Sequence, residues 1–424
     1  MDKFIIEGPT PLQGTIPISG SKNAALPLMA ASLLADGPTT ISYVPKLKDI
    51  YTFNNVLRAT GTQVDFNEES NELSIDPSSL TRNEAPYELV RKMRASFYML
   101  GALFGRCGKA RVSLPGGCAW GPRPVDLHLK GMQAMGIEIG LDEGYVVANS
   151  QNKYVRGGSF TLNPSSVGAT INLVLAAVLR ADHFTLYNAA KEPDAVLLCK
   201  ALRKMGADID GIGTDTLTVR KVGMLENQKL RNAPDRIETG TFMIASAMMP
   251  DSEVTLTDCK PEDLGYFPDA FNRTGASVHT ETDKIHIKAP DRLPALSVKT
   301  ETYPGFPTDL QAQWATMMTQ AEGTSRVTDT IYFDRFSYVP ELKRLGAEMQ
   351  VHKNTVTIHG KSKLEGASVM STDLRASVSL VLAGMVARGK SEVLRVYHLD
   401  RGYEGLEKKL NAVGARIERV QAND

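Results

Sequence analysis

The stretch LPGGCAWGPRPVDLH, residues 114 to 128, places Cys118 directly after Gly116 and Gly117 and just ahead of Arg123, Asp126 and His128. The two glycines allow a sharp turn and bring backbone N–H groups close to a ligand. A guanidinium folded back onto the loop would lower the thiol pKa and make Cys118 both a nucleophile and a proton donor. Trp120, Pro122 and Pro124 stiffen the segment, while Asp126 and His128 can organise it. A single histidine serves equally well as a hydrogen-bonded structural residue.

Other groups suited to binding anions lie at the starts of apolar segments. Lys22 and Asn23 open one in SGSKNAALPLMAA, where a lysine opposes the helix dipole and so needs another reason, most simply an anion shared with the free N–H groups. Arg91 and Arg94 open a second, and Arg94 stands one turn nearer the apolar run. Arginine offers a planar fork of donors that matches phosphate or carboxylate. Asp309 in GFPTDLQAQW and Asp373 in STDLRAS occupy corresponding positions, and each is explained as well by helix capping as by chemistry. Arg335, Arg375 and Arg401 complete a basic set too costly to bury without anions. Arg236 and Glu238 read as an internal ion pair.

These residues need a scaffold, and the chain shows its outline as a repeat. The pattern seen in LRATGTQV, MQAMGIEI, LRKMGADI, FNRTGASV, LKRLGAEM and LNAVGARI recurs roughly every 70 residues, with glycines at 61, 136, 206, 275, 346 and 414. About 30 residues before each lies a polar start followed by a segment rich in Ala, Met and Leu, then a breaker and a β-branched run. Those segments are apolar on most faces and predict buried helices. Each unit thus reads as a buried helix, a strand, an amphipathic helix ending near its glycine, and a hairpin. Six units divide into two similar α/β domains with helices inside and strands outside. A doubly wound α/β protein is the alternative, but its crossover helices should show a solvent face.

The bulk properties narrow the function classes. The 424 residues carry 48 basic and 48 acidic side chains, so no net field favours nucleic acid or an anionic membrane. Cysteines at 107, 118, 199 and 259 form no CxxC or zinc spacing and suit a reducing compartment. No apolar run is long enough for a spanning helix and no signal peptide is visible, which points to the cytoplasm. Neither a dinucleotide fingerprint nor a P-loop is present.

Taken together, SGSKNAALPLMAA, MRAS, LPGGCAWGPRPVDLH, PSSVGAT, DRIETGTF, YPGFPTDLQAQW, DRF with VPELKRLGA, STDLRAS and YHLDRGYEGLEKKL resemble the enolpyruvyl transferase family, in the branch that acts on UDP-N-acetylglucosamine in peptidoglycan synthesis. The likeness runs from about residue 1 to 420. It implies a pair of inverse α/β barrels, one over 22–233 and the other built from 1–21 with 234–424, with the active site in the cleft between them. It also implies transfer of enolpyruvate from phosphoenolpyruvate to the 3'-hydroxyl of the sugar nucleotide, with no metal or other cofactor and only these small molecules as partners. Oligomeric state is left open.

By the same resemblance Cys118 would protonate the methylene carbon, could hold a covalent adduct and would be the target of fosfomycin. Lys22, Arg123 and Arg401 would clamp phosphoenolpyruvate, with Arg94 at the edge of the shared pocket. Asp309 would orient and deprotonate the sugar hydroxyl, and Asn23 would contact the sugar. Asp373, Arg335 and Arg375 join this set. Arg123, Pro124, Val125, Asp126 and Leu127, then Pro164, Ser165, Ser166 and Val167, and finally Ile331 would line the uridine and diphosphate. Two positions depart from the family pattern: Pro164 stands where a lysine can contact the nucleotide, and Asp334 where an asparagine is common. The shikimate-pathway enolpyruvyl transferase would lack the loop cysteine. A silent paralogue should have lost Lys22, Cys118, Asp309 or Arg401, and a thiol redox enzyme needs a second, paired cysteine.

Overall fold

A computed structural model describes residues 2–91, 93–114 and 125–421. Cys118, Arg123 and Pro124 therefore lie outside the described residues. The chain forms two compact units, one of residues 20–233 and one of residues 1–19 with 234–424.

All six repeated glycines have φ between +82° and +106°, and each follows closely on a helix. Only a residue without Cβ takes that backbone at no steric cost, so the glycine both ends the helix and redirects the chain into a strand. The helices so ended run Lys48–Ala59, Asp126–Ala134, Pro193–Lys204, Phe267–Asn272, Tyr338–Arg344 and Leu406–Ala412.

In the 20–233 unit the buried helices are Lys22–Ala31, Tyr98–Cys107 and Val167–Ala177, and in the other unit Arg236–Met248, Gln311–Met318 and Leu374–Val386. Every residue of Gln311–Met318 is buried. Each unit has its own continuous hydrophobic core. The helices Tyr98–Cys107 and Val167–Ala177 approach so closely at Gly101 and Gly105 that a Cβ at either glycine would run into the carbonyl oxygen of Asn172 or Leu175.

The barrels expected from the family resemblance are not formed. Among the described residues each unit carries three separate four-stranded sheets, and every sheet ends in two edge strands. The reason lies in the repeat itself. In five of the six described sheets one strand lies parallel to the strand after the buried helix and an antiparallel hairpin completes the sheet; Val155–Thr161, Ala181–Tyr187, Thr216–Arg220 and Asp208–Asp210 show the order. The chain then leaves the hairpin for the next sheet without extending the ladder, so the sheets share a helical core but not hydrogen bonds.

The sixth repeat differs from the expected hairpin. Ile417–Gln421 pairs with the first strand of the chain, Asp2–Gly8, which also pairs with Gly389–Leu394 on its other side. The next strand, Gln13–Pro17, lies parallel to Glu253–Thr257. The N-terminal residues are thus structural parts of the unit that resumes at 234.

Candidate active site

In the 20–233 unit, Ser21 caps the helix Lys22–Ala31 by accepting from the Ala24 N–H, and Lys22 follows as its first residue. The lysine does not await an anion alone: its Nζ lies 3.0 Å from Oδ2 of Asp49, with the two side chains 13% and 5% exposed. Asp49 sits in the first turn of Lys48–Ala59, where an acid also complements the dipole. Sequence reasoning missed Asp49 because at that position it looks like any surface acid. Asn23 occupies the same helix start.

The expected helix beginning at Arg91 is broken. A short helix Tyr87–Val90 stops, Met93 is extended, and Arg94–Phe97 is a 3-10 turn leading into Tyr98–Cys107. Arg91 pairs with Glu88 on the exposed surface at 2.8 Å. Arg94 faces another environment, since its charge acts on His128. That imidazole is buried; burial first and Arg94 second pull its pKa down to about 3, against a smaller upward pull from Asp126. His128 is therefore neutral at physiological pH. Its Nδ1 lies 3.0 Å from Nδ2 of Asn172, and Asn172 in turn donates to the Phe97 carbonyl and accepts from the Gly101 N–H. Because the amide donates, Nδ1 is the acceptor and the proton sits on Nε2.

Val125 precedes the helix Asp126–Ala134 as its cap residue. Asp126 is paired with Lys130 at 3.1 Å on that helix's exposed face, and Leu127 packs against the core. Ser166 caps Val167–Ala177 by accepting from the Ala169 N–H, leaving the first N–H groups of the helix beside Pro164 and Ser165 available to an anion.

In the other unit, the repeated TDL motif takes two distinct forms. Asp373 is a helix cap: its Oδ1 accepts from the N–H groups of Arg375 and Ala376, and its Oδ2 accepts from Ser337 and Thr372. Asp309 lies in a 3-10 turn, Thr308–Leu310, and caps nothing. Its Oδ1 is 2.8 Å from Arg335 Nη1 and its Oδ2 is 2.9 Å from Arg375 Nη2. Burial alone would raise its pKa, but Arg375 and then Arg335 outweigh that and hold it far below the usual carboxylate range. The structure thus joins Asp309, Arg335 and Arg375 into one cluster and leaves Asp373 with a structural set of partners.

Asp329, absent from the sequence reading, anchors the loop that delivers two of the candidates. Fully buried, it accepts from Thr300, Thr308 and the N–H groups of Ile331 and Tyr332. Thr308 also receives Arg335 Nη1 at 3.1 Å. Ile331 and Arg335 are positioned by that one carboxylate, which carries no sequence signal beyond being an aspartate. Arg401 ends the 3-10 helix Val396–Arg401.

Arg236 and Glu238 do not pair. Two residues apart on a helix they point to different sides, and Glu238 instead meets Lys409 at 2.8 Å and the Ser19 N–H at 2.6 Å. Among the described residues no cluster of His, Cys, Asp and Glu is arranged to hold a metal ion, and no helix is long and apolar enough to cross a membrane.

A family model described as EPSP synthase (3-phosphoshikimate 1-carboxyvinyltransferase) matches residues 6–410. The chain is 51% identical to the UDP-N-acetylglucosamine 1-carboxyvinyltransferase of Chloroherpeton thalassium, over 99% of this chain and 97% of the other. It is 47% identical to the protein of the same name from Desulfosudis oleivorans, over 99% and 100% of the two chains. Among solved structures it resembles the enolpyruvyl transferase NikO from Streptomyces tendae, with a TM-score of 0.90, 25% identity and coverage of 100% and 99%. EPSP synthase from Acinetobacter baumannii shares the fold, with a TM-score of 0.78 at 18% identity and coverage of 99% and 100%.

Proposed function

Because the chain belongs to the enolpyruvyl transferase family and, within it, to the UDP-N-acetylglucosamine 1-carboxyvinyltransferases, we propose that it moves the enolpyruvyl group of phosphoenolpyruvate onto the 3'-hydroxyl of UDP-N-acetylglucosamine, the first committed step of peptidoglycan synthesis. The observation that carries this reading is the identity of about half the residues along nearly the full length of both chains.

The reaction is an addition followed by an elimination. The hydroxyl oxygen bonds to C2 of phosphoenolpyruvate while a proton is added to C3; the resulting ketal then loses a proton from C3 and expels phosphate. Cys118 is the proposed acid for the first step, and a nearby guanidinium would favour the ionised form left after transfer. Lys22, Arg123 and Arg401 hold the phosphate and carboxylate, and Arg94 extends that positive field. Lys22 still has donors to offer while bound to Asp49, because an ammonium carries three. The N–H groups at the start of Val167–Ala177 suit the diphosphate, with Ile331 and residues 123–127 against the uridine.

Asp309 orients the acceptor hydroxyl. As it is held, with a guanidinium on each oxygen, it is an acceptor of hydrogen bonds and a weak base. It can take the hydroxyl proton only after Arg335 or Arg375 has been drawn away, and an arriving substrate anion supplies a competing partner. Asp373 supports the reaction as a cap of the helix that carries Arg375.

The test is phosphate release from phosphoenolpyruvate with UDP-N-acetylglucosamine and, in parallel, with shikimate 3-phosphate, for the wild type and Cys118→Ala. Release with the sugar nucleotide alone, lost in the variant, is the expected result. Release with shikimate 3-phosphate alone would assign the chain to the other branch of the family, and release with neither acceptor from folded protein would refute the enzymatic reading.

A further inference from the structure

Behind Asp309 lies a buried polar set to which the reaction as derived gives no role. The phenol oxygen of Tyr403 receives Arg375 Nη1 and Gln313 Nε2, each at 3.2 Å, and stands 2.9 Å from Thr241 Oγ1. The Thr241 hydroxyl donates to the Ile237 carbonyl at 2.8 Å, so the phenol O–H is the donor between Tyr403 and Thr241. Gln313 Nε2 also reaches the backbone oxygen of Asp309 at 3.0 Å. Tyr403, Gln313 and Thr241 are all buried. They come from three separate stretches of the same unit and meet at the phenol oxygen of Tyr403, which alone of the three touches the Arg375 guanidinium.

We propose that Tyr403 is a positioning residue that, through Arg375, fixes the direction in which the Asp309 carboxylate points. The proposal rests on the reading of Asp309 as the group that orients the acceptor hydroxyl. Arg375 is held at both ends of its planar fork, Nη2 on Asp309 and Nη1 on Tyr403, so the phenol sets the plane of the guanidinium and the guanidinium sets the carboxylate. Arg335 is held differently: its Nη1 divides between Asp309 and Thr308 on the loop anchored by Asp329. Packing alone does not require the hydroxyl, because phenylalanine would fill the same volume. Phenylalanine would, however, leave a buried N–H of Arg375 without its acceptor, and that arginine could turn to find another. A small rotation at Arg375 is passed directly to the reacting geometry, where misplacement is costly.

The experiment compares full-length wild type, Tyr403→Phe, Thr241→Val and Asp309→Asn by phosphate release over a range of both substrates and of pH. Tyr403→Phe is expected to lower kcat about tenfold, with each KM changed less than about threefold. The acid limb of its kcat profile should move upward, because a loosened Arg375 lets Asp309 take a proton more readily. Thr241→Val removes the acceptor of the phenol O–H and should shift the same two readouts less far. Unchanged kcat and pH profile in folded Tyr403→Phe would overturn the proposal. Should that variant fail to fold, an unchanged Thr241→Val would overturn it equally. Asp309→Asn separates the two levels: wild-type kcat there would remove the role of Asp309 itself, whereas its loss beside a normal Tyr403→Phe would remove the positioning role alone.

Discussion

Replacing Asp49 with asparagine keeps the shape of the side chain and removes the charge that neutralises Lys22. The two groups are 3.0 Å apart and nearly buried. At an effective dielectric constant of about 20, unit charges at that distance attract by about 5.5 kcal/mol. Part of this is offset by the desolvation both groups have undergone, and breaking such a pair from one side costs about 3 kcal/mol. In a unit of about 200 residues that lowers the melting temperature by roughly 6 to 12 °C. The same calculation makes the loss recoverable. An anion at Lys22 restores neutrality, and in Asp49→Asn it meets no competing carboxylate. Phosphoenolpyruvate or inorganic phosphate should then raise the melting temperature of the variant more than that of the wild type, while chloride at matched ionic strength should not. Scanning calorimetry with each salt is the assay. A variant melting within about 1 °C of wild type would show that the pair holds no buried charge, and a large loss without selective rescue would refute Lys22 as an anion ligand.

Two further predictions concern the region around Asn172. His128 titrates at about 3 in the folded chain because burial and then Arg94 oppose its charge, against about 6.5 when unfolded. The unfolded state therefore binds more protons across that window. Its contribution is full above pH 6.5 and declines as pH falls toward 3, by up to about 1.4 kcal/mol per unit. Urea unfolding between pH 7.5 and 5 should show this extra decline in wild type and not in His128→Leu; identical slopes would contradict it. Gly101→Ala forces a Cβ against the Asn172 carbonyl and should cost about 1–3 kcal/mol, whereas Gly140→Ala, with nothing within 4 Å, should stay within about 0.5 kcal/mol in the same denaturant titration.

The parts of this architecture legible in the sequence are those enforced locally. A glycine at each of six equivalent positions is required by a positive φ, and a helix apolar all round has to be buried, so both signals survive in a bare string of residues. Contacts between distant residues leave no such trace. Asp49 finds Lys22 across 27 positions, and Tyr403 finds Thr241 across 162. Asp309 and Asp373 share the motif TDL and part ways only because the turn around Asp309 is 3-10 and that around Asp373 is a capped α-helix start. Arg236 and Glu238 looked paired because they are close in sequence, yet helical geometry separates them and Lys409 supplies the partner. Barrel closure failed as an expectation for a similar reason: whether one sheet continues into the next depends on edge pairing, to which no residue type testifies.

The placing of the first strand carries a consequence for how the molecule is made. Asp2–Gly8 lies between Gly389–Leu394 and Ile417–Gln421, so it leaves the ribosome long before either partner. At about 5–20 residues per second the interval is on the order of 20 to 80 s. Residues 20–233 are contiguous and can gather their core as they emerge, while the strand ahead of them must wait with both edges unpaired. Such an edge invites pairing with other chains, and the charged residues flanking its apolar centre, Asp2, Lys3 and Glu7, are suited to keep it soluble until those partners emerge.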